Sequence, residues 1–256
     1  LNNQRVISIV GSRRATNYGK EVCQEIVSHL KSYDTLILSG LAYGIDICAH
    51  REALSNQMET VGVLGHGLHT IYPAQHKRTV EHMLDSGGIL TEFISYTKPD
   101  RENFPKRNRI VAGMSDVVVV VESGRKGGAI ITADLGNSYN RDVLAVPGRV
   151  GDDYSIGCNY LIRTNRASLI ENGSNITYFM GWEKSEIKKS NQAKLFIDLT
   201  SEEQKIYDCL LSSKEISIDN ITINTNLKAS FVASTLLKLE FEGLVRSLPG
   251  KLYKKN

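Results

Sequence analysis

Residues 103–128 read NFPKRNRIVAGMSDVVVVVESGRKGG, and the five valines at 117–121 decide the fold class. β-Branched side chains favour extended backbone, and a run that is apolar at every position must be covered on both sheet faces. Such a run is a central strand of a parallel sheet. Directly after it come Gly124, Arg125, Lys126, Gly127 and Gly128, a break rich in glycine and cations. Ahead of it, Lys106, Arg107, Asn108 and Arg109 follow Pro105, so three cations and an amide stand beside the most apolar segment of the chain.

The same pattern repeats outward from there. Short apolar runs at 6–10, 35–38, 61–64, 88–91 and 143–146 are each set off by Gly- or Ser-rich breaks, and segments of helical periodicity lie between them. After the first run, Val22, Cys23, Ile26, Val27 and Leu30 fall at helical spacing. Strands alternating with helices predict an α/β fold with a mainly parallel sheet. Sheets of this kind bind ligands beyond the carboxyl ends of their strands.

Residues 182–199 are polar without a period and read as a linker, which gives a first domain over 1–181. Residues 200–256 change character. Thr200 or Ser201 caps a helix with acids in its first turn, a short segment follows at 217–226, and an apolar-faced helix spans 228–242. Two short strands flank Pro249-Gly250. This order predicts a small winged helix-turn-helix domain.

At 256 residues and 41% hydrophobic content the chain can bury a large core and a small one. No apolar run approaches the roughly 20 residues needed to span a bilayer, which predicts a cytoplasmic protein without membrane contact. The chain opens on Leu1 with no charged-then-apolar leader, so a piece of a longer protein without a secretion signal is expected. Cys23, Cys48, Cys158 and Cys209 are scattered, as reduced structural thiols would be. A net charge of +3 is mild, so attraction for an anion has to come from local clustering.

That clustering lies in the breaks. GSRR at 11–14 combines Gly11, Ser12, Arg13 and Arg14 ahead of a helix N-terminus, and SGLAYG at 39–44 does the same with Ser39 and Gly40. With Lys106, Arg107, Arg109, Arg125 and Lys126 these loops predict a basic shelf for a ligand carrying several phosphates. Neither G-x-G-x-x-G nor G-x-x-x-x-G-K-[ST] occurs, which excludes the usual dinucleotide and P-loop fingerprints. The histidines show no metal-ligand spacing and the serines no nucleophile elbow, so neither metal nor cofactor is expected. Asp46 and Glu92 follow strand ends, where a carboxylate serves as acid or base, caps a helix, or holds a loop arginine. Tyr18, Tyr43, Tyr72 and Phe104 are stacking candidates for bases, with core packing as the other reading.

The blocks VGSRRATNYG, ILSGLAYGIDICAH, LGHGLHTIYP, NFPKRNRIVAGMSDVVVVVES, GGAIITADLG and VLAVPG…GCNYLI occur in one order over residues 4–172. In that order they resemble the DNA-processing protein family DprA, also called Smf. The resemblance implies an extended Rossmann-like domain that binds single-stranded DNA without catalysis and forms a homodimer. It further implies loading of the recombinase RecA, contact with single-stranded-DNA-binding protein, and protection of incoming DNA in natural transformation. Carried over by position, the phosphate pocket falls on Gly11, Ser12, Arg13, Ser39, Gly40 and residues 106–109, and the dimer face on Asn159, Ile162 and Leu169. The chain departs from the family pattern at Gly127-Gly128, where a hydroxyl donor is lost, and at Asn140. At least one of the cations, such as Arg109, is expected to brace the fold through a buried carboxylate such as Asp46 or Glu122, and Asn108 to brace the neighbouring loop.

Two other readings compete. A nucleotide-cleaving phosphoribohydrolase would share the Rossmann-like pocket, although GRKGGAIITADL lacks the expected glutamate. A sequence-specific duplex regulator would rest on the winged helix, whose 228–242 helix carries only Lys228 and Lys238 as cations.

Overall fold

A computed structural model describes residues 5–184, 200–211, 215–241 and 244–255. The chain forms two compact units, 1–186 and 187–256. Most of the expected linker, from residue 185 to 199, lies outside the described residues.

The first unit is built on β1 (Arg5–Val10), β2 (Thr35–Ser39), β3 (Thr60–Val63), β4 (Gly87–Leu90), β5 (Val117–Val120), β6 (Asp142–Ala145) and β7 (Ser168–Leu169). All pair in parallel, in the order β4-β3-β2-β1-β5-β6-β7. The helices are α1 (Asn17–Leu30), α2 (Ile45–Ser55), α3 (Lys77–Asp85), α4 (Asn103–Gly113), α5 (Gly128–Ser138), α6 (Ile156–Arg163) and α7 (Gly173–Phe179).

The valine run behaves as its composition demands. Val118 and Val120 pack on one sheet face with Val111, Ala112, Ala129, Ile130 and Ala133 of α4 and α5. Val117 and Val119 pack on the other with Cys23, Ile26, Ile45 and Ala49 of α1 and α2. Each fully buried Val, Leu or Ile contributes about 1.5–3 kcal/mol, so these two layers supply most of the driving force. The seventh strand is too short to show a period, which is why the sequence pattern missed it.

The strand order positions the site. From β1 the chain winds outward through β2 and β3 to β4, then returns to place β5 on the other side of β1. Loops leaving β1 and β5 therefore part in opposite directions and leave a crevice at their carboxyl ends.

The second unit comprises α8 (Ser201–Leu211), β8 (Ile216–Ser217), α9 (Ile218–Thr225), α10 (Ala229–Phe241), β9 (Val245–Leu248) and β10 (Leu252–Lys255). Thr200 is the N-cap of α8: its hydroxyl accepts from Glu203 N–H at 3.3 Å and the Glu203 carboxylate accepts from Thr200 N–H at 2.9 Å. Ile206, Leu210, Ile221, Val232, Leu236 and Leu239 form its own core. β8 joins the hairpin in a three-stranded sheet of order β8-β10-β9, completing a winged helix. Among the described residues no helix is long and apolar enough to cross a membrane.

Candidate nucleic-acid interface

A cleft of about 960 Å³ opens where β1 and β5 part. Its floor and walls come from the loop after β1, the loop after β2, the first turns of α4 and the N-terminus of α5.

The loop after β1 is pinned by its neighbour. Ser12 N–H donates to the Glu122 carbonyl at 2.7 Å, and the buried Glu122 carboxylate accepts from Thr16 N–H at 2.9 Å and from the Thr16 hydroxyl. Thr16 in turn caps α1 by accepting from Gly19 N–H at 3.1 Å. The exposed Arg13 side chain is thus delivered to the cleft, its guanidinium 5.6 Å above the Phe104 ring centroid. Gly44, at φ 79°, turns the next loop into α2.

NFPKRNR forms the first two turns of α4. Pro105 sits in the first turn, where its missing N–H costs nothing. Helical spacing then sorts the basic residues. Arg107 and Val111 face inward, four residues apart, while Lys106 and Arg109 face solvent. Arg107, only 4% exposed, donates to the Gly40 carbonyl at 2.6 Å, to the Val63 carbonyl and to Asn108 Oδ1 at 3.2 Å. Facing it, Asp46 accepts from Gly40 N–H at 3.2 Å and Ala42 N–H at 3.4 Å. A Cβ at Gly40 would lie 2.5 Å from Arg107 Nη2 and 2.7 Å from Asp46 Oδ2, so glycine alone fits between them. Burial raises the Asp46 carboxyl against the pull of Arg107, and lowers the Arg107 guanidinium to about 10, which leaves it cationic at neutral pH.

Asn108 Nδ2 donates to the Gly128 carbonyl at 3.3 Å and ties α4 to the start of α5. Gly127 caps α5 with no side chain to accept from its first N–H groups, and the exposed Lys126 precedes it. The first turn of α5 lines the cleft, which therefore meets the positive end of the helix dipole. Tyr72, 48% exposed, and Phe104 place their ring centroids 5.9 Å apart on the same wall.

Of the phosphate-shelf residues singled out in the sequence, Gly11, Ser12, Arg13, Gly40, Arg107, Asn108, Arg125 and Lys126 line the cleft. Ser39, Arg14, Lys106 and Arg109 are not among its lining residues. Ser39 is fully buried and its hydroxyl donates to the Ile9 carbonyl at 2.5 Å, so it holds β2 to β1. Arg109 does not brace the fold through Asp46 or Glu122. It is exposed and pairs with Glu92, while Arg107, on the inward face of the helix, takes the bracing position. Tyr18 and Tyr43 are likewise engaged elsewhere, their hydroxyls donating to the Pro147 carbonyl at 2.9 Å and to Gln75 Oε1 at 2.7 Å. Arg101, which the sequence reading passed over, lines the cleft. The signal available was its position three residues before Phe104.

Asp46 is the carboxylate that lines the cleft, and its Oδ2 accepts from both the Gly40 and Ala42 N–H groups. Among the described residues no three His, Cys, Asp or Glu are placed to hold a metal ion. His50 is instead a core residue, with Nδ1 2.7 Å from the Thr60 hydroxyl, which itself donates to the Ile37 carbonyl at 2.9 Å. Burial, with His76 and Arg107 nearby, lowers its pKa from 6.5 to about 3. The unfolded chain therefore takes up this proton first: the stabilisation is complete above pH 6.5 and is lost as pH falls from there toward 3. At about 1.4 kcal/mol per unit, the contribution at pH 5 is about 2 kcal/mol smaller than at pH 7. Urea midpoints at the two pH values read this loss, and His50→Gln is expected to flatten the profile.

Comparison with known proteins agrees with this arrangement. The sequence model of DNA recombination-mediator protein A matches residues 1–181, and that of the DprA winged helix domain matches residues 193–251. A DprA-named protein of Mycobacterium tuberculosis is 35% identical over 248 residues, 96% of this chain and 64% of its own length. The chain thus spans just under two thirds of that relative. The crystal structure of DNA processing protein A from Streptococcus pneumoniae superposes with a TM-score of 0.64 at 33% identity, covering 71% of this chain and 63% of that one. The Helicobacter pylori protein, whose structure addresses a single-stranded DNA binding mode, gives a TM-score of 0.65 at 29% identity over 71% of this chain and 83% of that one. With one family model over residues 1–181 and a second over residues 193–251, the chain belongs to the DNA recombination-mediator protein A family.

Proposed function

We propose that the cleft binds single-stranded DNA through its phosphates and that the protein acts without catalysis as a recombination mediator. The observation that carries the reading is the convergence of Arg13, Lys126 and the N-terminus of α5 on one crevice that also exposes Tyr72. Cations and backbone N–H groups grip phosphates whatever the sequence, and an aromatic wall accepts only bases that are free to stack. The single-strand binding addressed in the Helicobacter pylori relative supports the same assignment. Gly11, Ser12, Arg13, Gly40, Asn108 and Lys126 are the proposed contacts, with Arg14, Lys106 and Arg109 as an outer cationic rim. Arg107 and Ser39 are proposed to act through the fold that holds those contacts.

For the wider role, family membership supports the proposal of a cytoplasmic homodimer that protects incoming DNA and loads RecA, in contact with single-stranded-DNA-binding protein. For the dimer face, Leu169 on the edge strand β7 is half exposed, and Phe179 and Tyr178 are exposed on the following helix. Ile162 and Asn159 serve behind it, Ile162 packed on the core and the Asn159 amide bonded to both the N–H and carbonyl of Gly148 at 3.1 and 2.9 Å. The winged helix is proposed as an accessory domain. Of the two lysines in and beside α10, Lys238 is paired with Glu203 at 2.7 Å.

The test is the ratio of affinities for an unstructured oligonucleotide and a duplex of the same length, measured at two salt concentrations, with light scattering on the same sample. Single-strand preference with a steep salt dependence is expected. Equal affinity for both forms would overturn the reading.

A further inference from the structure

We propose that Cys23 and Cys48 are a peroxide-responsive thiol pair that closes to a disulfide joining α1 to α2. The two cysteines are distant in sequence, yet α1 and α2 pack side by side on one sheet face, where Cys23 lies in the apolar cluster and Cys48 packs against it. Cys48 Sγ also lies 3.8 Å from the Lys20 carbonyl, one helical turn before Cys23. Both thiols are free; Cys23 is buried and Cys48 is partly exposed.

Their environments divide the labour. The neighbouring Cys23 thiol lowers the Cys48 thiol below its ordinary range, with Lys20 and Arg51 assisting against burial and Glu52. The same neighbour relation and burial push Cys23 up. An oxidant reaches the thiol that is both accessible and more acidic, and the buried neighbour resolves the product. Neither remaining cysteine offers this arrangement: Cys158 is buried and pushed up to about 12, and Cys209 belongs to the other unit.

The chemistry balances with one hydroperoxide. The Cys48 thiolate attacks a peroxide oxygen, so an S–O bond forms as the O–O bond breaks, and the departing hydroxide takes up the proton lost by the thiol as water. The Cys23 sulfur then attacks the Cys48 sulfur. The S–S bond forms, the S–O bond breaks, and the Cys23 proton leaves with the hydroxide as a second water. Two thiols are oxidised and one peroxide is reduced, and a thiol reductant reverses the step by exchange.

The experiment treats the full, reduced chain with stoichiometric hydrogen peroxide and follows intact mass, free thiols and the digest. The expected result is a loss of about 2 Da, for two hydrogens, with the Cys23 and Cys48 peptides joined and the change reversed by dithiothreitol. Cys48→Ala is expected to abolish the loss, and Cys209→Ser to preserve it. Should Cys48→Ala fail to fold, Cys23→Ala supplies the second reading: Cys48 then stops as a sulfenic acid that dimedone traps. A gain of about 16 or 32 Da at Cys48 in the unaltered chain without a joined peptide would overturn the proposal, as would no reaction or a bond involving Cys158 or Cys209.

Discussion

Replacing Arg107 with alanine is expected to lower the unfolding free energy of the first unit by about 3–5 kcal/mol, the usual cost of stranding a buried charge. The guanidinium is 4% exposed and satisfies the carbonyls of Gly40 and Val63, at the ends of two adjacent strands, while facing Asp46. Its removal leaves a buried carboxylate without its cation, two carbonyls without a donor, and a cavity in the wall of the cleft. Arg107→Lys restores the charge but not the fork, so it is expected to recover only part of the loss. Urea unfolding at pH 7 measures the effect. A loss below about 1 kcal/mol would mean that Asp46 is held by its two backbone N–H groups alone. Arg109→Ala serves as the internal control. That ion pair is exposed, and removing it is expected to cost less than about 1 kcal/mol.

The second large effect concerns binding. Arg13→Glu combined with Lys126→Glu is expected to weaken affinity for an unstructured oligonucleotide about 100-fold or more, since two charge-assisted phosphate contacts at about 1.5–3 kcal/mol each are lost. The slope of log affinity against log salt should become shallower by about 1.4, or about 0.7 for each phosphate released. Both side chains are exposed at the cleft, so circular dichroism and the urea midpoint should stay native. Unchanged affinity with an unchanged slope would move the DNA to another face. Loss of affinity in Arg107→Ala but not in this pair would show that the cleft matters only for the fold.

Arg107→Ala and its control Arg109→Ala separate roles that four consecutive letters hold together. Lys106, Arg107, Asn108 and Arg109 are alike as text, all polar and all beside an apolar strand. A helix of 3.6 residues per turn distributes them to solvent, core, the neighbouring helix and Glu92. The sequence alone offered Arg109 as an instance of a brace. The helical phase set by Val111 and Ala112 selects Arg107. Ser39 carries the same lesson. In a glycine-rich break a serine suggests a ligand, but as the last residue of β2 it faces β1 and its hydroxyl is used there.

By itself the sequence determined the fold class, because burial on both faces of a sheet requires unbroken β-branched runs, and it determined the existence of a winged helix through caps, periodicity and a Pro-Gly turn. It also placed the cations, since strand-to-helix breaks in a parallel sheet share one edge. Only the tertiary structure decided which of those cations are free for a ligand and which hold the wall, and only it brought Cys23 against Cys48. Both outcomes depend on helix phase and on packing between elements distant in the chain, and solvation there is set by neighbours that no local pattern of residues names.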